Sequence, residues 1–159
     1  MRGGGAGIVF HLAWVAEPDS THHEITSYGG NQALMHQKLL EPAQTAVLSV
    51  KNPERSSPTG TAIQNARTTE LNEKLSRDGF HLSLDIGRYI AGLTFLNALT
   101  GAVIDGATWR PEDVDARAQQ IAIKAANTAV DTPFAITKLS LQIKISAKRN
   151  AFRGDFASV

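Results

Sequence analysis

"LSRDGFHLSLDIGRYIAGLTFLNALTG", residues 75–101, joins a polar turn to a long apolar helix, and its reading decides the fold. Ser83 stands where an N-cap would accept an amide, and Asp85 falls in the first turn, near the positive end of the helix dipole. Ile86, Tyr89, Ile90, Leu93 and Leu96 recur at helical spacing, and Gly101 is placed to end the helix. Just before it, Asp78 and His81 flank Gly79, a residue free to adopt a positive φ. The carboxylate can fold back toward one ring nitrogen while the other points into a cleft. The same spacing also fits a plain surface turn in which Asp78 satisfies a backbone amide.

Working outward, "TAIQNARTTELNEKL" (61–75) is compatible with a helix and polar on most faces, so it is expected over the surface beside the 77–83 loop. "KNPERSSPTG" (51–60) reads as a loop. From Asn31 to about Val50 the pattern is helical, with Pro42 expected to kink or divide it. "IVFHLAWV" (8–15) is apolar nearly throughout, as in a central parallel strand covered on both faces, and a polar loop follows it. The glycine-rich residues 1–7 read as a flexible leader. The start loosely resembles a signal peptide, but His11 interrupts the apolar run and the strand is the better reading. Downstream, a helix is expected after Pro111, with Val114, Ala118, Ile121 and Ala125 on one stripe and Pro133 as its stop. Leu139, Leu141, Ile143 and Ile145 alternate with polar residues as in a half-exposed strand, and a loose basic tail closes the chain.

Composition narrows the function classes. With 159 residues and 42% hydrophobic content, one globular domain is the default. Sixteen basic against fifteen acidic side chains, net +1, provide no field to recruit nucleic acid or an anionic membrane surface. The absence of cysteine excludes disulfides, thiol catalysis and cysteine-based zinc sites, and leaves the compartment open. No apolar run approaches the roughly 20 residues of a membrane-spanning helix, so a soluble protein without a membrane partner is expected. His11, His22, His23 and His36 with Glu17, Asp19 and Glu24 lack a helical i, i+4 histidine pair, and no metal is expected there. Lys144, Lys148, Arg149 and Arg153 read as a solvated charged end, and Trp14 and Trp109 as packing residues.

"GTAIQNARTT" (60–69) followed by residues 75–101 resembles the C-terminal part of an uncharacterised bacterial family within the SGNH (GDSL-type) hydrolase superfamily. "FHLAWVAEPDST" and "YGGNQALMHQ" are similar to that family's passage from a late strand through a loop into a helix, so the resemblance covers roughly residues 8–130. It implies an α/β chain, the C-terminal half of a flavodoxin-like three-layer fold, with residues 131–159 as an atypical tail. In that superfamily the closing catalytic block is Asp-x-x-His. The match makes His81 the general base and then general acid, and Asp78 its orienting partner, in transfer of an acyl group from an ester to water.

The match also places Gln64, Asn65 and Arg67 near the active site. There they would bind substrate oxygens or, equally, satisfy local backbone groups. The superfamily's Gly-Asp-Ser-like nucleophile block and its oxyanion-hole glycine and asparagine have no counterpart here. The expectation is therefore a truncated ester hydrolase that acts on small-molecule or carbohydrate esters, with O-acetylated sugars preferred, and needs no cofactor. The rival is a non-catalytic remnant or binding module. An incomplete sheet would further leave an apolar edge through which chains self-associate. The compartment stays open, and for complete relatives the resemblance is compatible with secretion or the periplasm.

Overall fold

A computed structural model describes residues 9–49, 55–72 and 75–140. The leader, the run Leu141 to Ile145 and the basic tail lie outside the described residues. Two short strands pair in parallel: β1 (Val9–His11) on β2 (Arg55–Ser57), with Phe10 opposite Ser56. Parallel partners need a long crossover. Here it contains α1 (His23–Thr26) and α2 (Gln32–Ser49). The remaining helices are α3 (Thr59–Arg67), α4 (Ile86–Thr100) and α5 (Ala116–Asp131), so the described residues form a mixed α/β structure.

β1 is shorter than the apolar run that announces it. The ladder ends because β2 runs into Pro58, which has no amide to give, and turns into α3. Leu12 adds one bond to the Ser57 carbonyl (3.0 Å), and its own carbonyl accepts the Gly60 amide (2.8 Å). Leu12, Val15 and Ala16 are then buried without strand pairing. Their apolarity records burial and not a longer strand. Conversely, the expected loop 51–60 contains β2. Strand pairing needs only backbone groups, and the buried Ser57 hydroxyl shares a hydrogen bond with that of Thr59 (3.2 Å).

The largest correction concerns α3. All nine of its residues are buried, and it stops at Arg67 where a surface helix to residue 75 was expected. The hydroxyls of Thr68 and Thr69 donate to the Asn65 and Ala66 carbonyls (both 2.6 Å), taking acceptors that a further turn would use. Burial is tolerated because most of its polar side chains are paired inside: Thr61 donates to the Pro133 carbonyl (2.6 Å) and Asn65 Oδ1 accepts the Thr137 amide (2.6 Å). α4 and α5 pack against α3, and Ile63, Ala66, Leu75, Ile90, Ile121 and Ala125 are among the fully buried members of the shared core.

The other boundaries follow local chemistry. α4 starts at Ile86 with Asp85, not Ser83, at its N-cap position; Ser83 Oγ, two residues earlier, still accepts the Gly87 amide (2.9 Å), and Gly101 ends the helix at φ 67°. α5 begins later than Pro111 because residues 111–115 form a turn, closed by Val114 N to Pro111 O (3.1 Å); Asp115 then caps it by accepting the Ala118 amide (2.7 Å). Pro42 lies inside α2 without dividing it. It is exposed, so the carbonyl left without a donor one turn earlier can turn to water. No helix among the described residues is long and apolar enough to cross a membrane.

Candidate functional site

The segment between Leu75 and Ser83 is a tight loop. Ser76 and Leu82 form an antiparallel bridge at its neck, reinforced by Arg77 N to His81 O and Ser83 N to Leu75 O (both 2.9 Å). Gly79 makes the turn at φ 81°, and a side chain there would press on Ser20.

Asp78 serves both ends of this loop. Its Oδ1 accepts the amides of Phe80 (3.1 Å) and His81 (2.7 Å), and its Oδ2 lies 2.8 Å from His81 Nδ1. The backbone amide of His81 first, then its ring, hold the Asp78 carboxyl down to about 2. An ionised carboxylate at Nδ1 favours the tautomer with the proton on that nitrogen and leaves Nε2 as the basic site. The local-turn bond and the side-chain pair expected as alternatives thus occur together. The pair is exposed at the rim of a cleft of about 420 Å³ lined by Ser20, Thr21, His22, His23, Asp78, Phe80 and His81. His22 stacks on Phe80 (centroids 4.4 Å apart), and His81 meets the same ring edge-on.

Gln64, Asn65 and Arg67 do not line this cleft. They are buried in α3: Asn65 holds the 137 amide, and Arg67 donates to Glu17 Oε1 (2.6 Å) and to the Val15 carbonyl (3.3 Å). These side chains face inward because the helix that carries them is enclosed. Glu17, by contrast, is central and was not singled out as a site residue. Besides Arg67 it accepts from Ser76 Oγ and Gln32 Nε2 (both 3.1 Å), and its amide donates to the Gly79 carbonyl (2.7 Å). The only sequence signal was an acid closing an apolar run immediately before a proline. His36 on α2 is fully buried with neither ring nitrogen paired, and burial first, then the Arg67 charge, pushes it down to about 4.

A second concavity, about 630 Å³ and mainly apolar, runs along α4 between Leu84, Tyr89, Leu93 and Leu96 on one side and Ala107 and Trp109 on the other. Its wall is pinned by Tyr89 Oη and Gln119 Nε2 donating to backbone carbonyls of the 107–109 segment. Among the described residues no group of three histidine, aspartate or glutamate side chains is placed to hold a metal ion.

A search of curated proteins returns no match. The crystal structure of a DUF4886 family protein from Bacteroides uniformis ATCC 8492, at 1.50 Å resolution, is similar at TM-score 0.80 and 33% identity. The similarity covers 86% of this chain and 52% of that one, so this chain spans about half the length of that relative. The family model described as "Domain of unknown function (DUF4886)" matches residues 5–129. Most of the chain is thereby accounted for, and it belongs to the DUF4886 family.

Proposed function

We propose that this chain carries the acid–base part of an SGNH-type ester hydrolase, set in the C-terminal half of a flavodoxin-like three-layer fold. The observation that carries this reading is the 2.8 Å contact of Asp78 Oδ2 with His81 Nδ1 at the rim of an open cleft. A serine hydroxyl attacks an ester only if an imidazole accepts its proton, and the imidazole does so only if its other nitrogen is the protonated one. Asp78 imposes that tautomer. His81 Nε2 then takes the proton from the nucleophile and returns it to the leaving alcohol. On this reading the nucleophilic serine would come from sequence outside the described residues; the match covers only 52% of the similar DUF4886 protein's chain. An acetylated carbohydrate is the preferred substrate class, on the strength of the superfamily resemblance alone.

The test begins with the genomic sequence upstream of the first codon. A Gly-Asp-Ser-like block in frame, or a frameshift away, is expected there. A protein extended to include it should hydrolyse p-nitrophenyl acetate, and His81→Ala should lower kcat by about 10²–10⁴-fold. The present chain alone should not exceed its own His81→Ala control. Activity of the extended protein that is indifferent to His81 would sink the proposal, and an extended protein without activity would leave a binding module.

A further inference from the structure

Besides its internal bonds, the Asp78–His81 loop is seated on residues 14–17. Trp14 Nε1 donates to the Phe80 carbonyl and the Glu17 amide to the Gly79 carbonyl, each at 2.7 Å. These two carbonyls belong to the residues between the carboxylate and the imidazole. The seat is itself fixed from the core. Arg67, the last residue of α3, sends Nη2 to Glu17 and Nη1 to the Val15 carbonyl, with side chains 4% and 11% exposed for Arg67 and Glu17. Gln32 of α2 bonds both Glu17 and the Ala16 carbonyl, and Ser76 at the loop's neck bonds Glu17.

A buried ion pair is a weak source of stability, because desolvating two charges offsets most of their attraction, so its worth lies in the geometry it specifies. The planar guanidinium fork fixes two acceptors of one short segment at once, which a single ammonium could not do. We infer that Glu17 and Arg67 are positioning residues for the Asp78–His81 pair: their ion pair locks the 14–17 seat, the seat fixes the Gly79 and Phe80 carbonyls, and the loop so held keeps the His81 proton on Nδ1. The inference rests on the reading of Asp78 and His81 as an acid–base pair. It assigns Arg67, which the resemblance placed near the active site as a substrate ligand or, equally, a partner of local backbone groups, a role carried out through two intervening residues.

The tautomer of His81 is read directly from long-range ¹H–¹⁵N correlations of its ring nitrogens at mildly alkaline pH, where imidazoles are neutral. In the wild-type chain the Nδ1–H form should dominate. In Glu17→Gln and Arg67→Met the signal should move to a mixture in which Nε2–H prevails, and exchange of the His81 amide should quicken about tenfold or more as its bond to Asp78 loosens. Ile121→Val, a core change in α5, should lower global stability with the tautomer unchanged. Should the two charge variants fail to fold, Ser76→Ala, which removes one donor to Glu17, carries the same test with a smaller shift in the same direction. A folded variant of the pair, or Ser76→Ala, that retains the wild-type tautomer overturns the inference; so does an equal change in Ile121→Val. No substrate enters the measurement, so an absence of ester hydrolysis would count against the proposed function without touching this result.

Discussion

Gly60 and Ala13 approach so closely that a Cβ on the glycine would overlap the alanine's carbonyl oxygen. The first turn of α3 is therefore docked, backbone against backbone, on the segment that leaves β1. Gly60→Ala should force the two apart at a cost of about 3 kcal/mol, since the obstacle is main chain and cannot rotate away. Urea unfolding measures it, and a change below about 0.5 kcal/mol, as at an ordinary surface site, would show the contact to be looser than described.

Asn65→Ala separates two readings of the same residue. With the Thr137 amide left without its acceptor, stability should fall by about 1–3 kcal/mol. A substrate ligand would instead give a raised KM with stability intact.

His36 makes the fold sensitive to mild acid. Its imidazole sits at about 4 in the fold against an ordinary 6.5, so between those values the unfolded chain binds more protons. Its contribution is present above 6.5 and is lost as pH falls toward 4, on the order of 3 kcal/mol at about 1.4 kcal/mol per unit. Urea midpoints for His36→Phe should be flatter across that window than those of the wild type; parallel curves would place the acid sensitivity elsewhere.

Asp78 acts in a lower and separate window. Its carboxyl is depressed from 3.8 to about 2, so the ordering it gives the loop is present above 3.8 and lost as pH falls through 2. The His81 amide resonance should titrate there, and Asp78→Asn should abolish the titration. A titration that survives the substitution would assign it to another acid.

Val9 of β1 and Leu84 and Trp109 beside the apolar groove are 45%, 64% and 72% exposed. Purified protein should bind a hydrophobic dye and self-associate in light scattering. A monodisperse monomer that binds no dye would mean that this surface is covered.

What the sequence made legible was local. Ser83 and Gly101 mark the ends of α4, to within two residues, through their own side chain and φ, and the Asp78–His81 contact spans one turn. What stayed hidden depended on distant partners. The polar text of α3 reads as surface because Thr61, Asn65 and Arg67 find their partners 50 to 72 positions away, and β2 reads as a loop because its pairing is a property of backbone alone. The same distance concealed Glu17, whose neighbours come from α2, α3 and the loop at once.

The enclosure of α3 also bears on how the chain folds. Apart from Thr59, which pairs with Ser57, the partners found for its polar side chains lie far off in sequence, so loop closure must be achieved before the helix gains most of what burial offers. Formed early, it would carry an unpaired guanidinium and amides into the core. Folding should therefore be slow for a chain this size, with α3 consolidating late. During synthesis it cannot be completed until residues 133–137, which supply its last acceptor and donor, have left the ribosome.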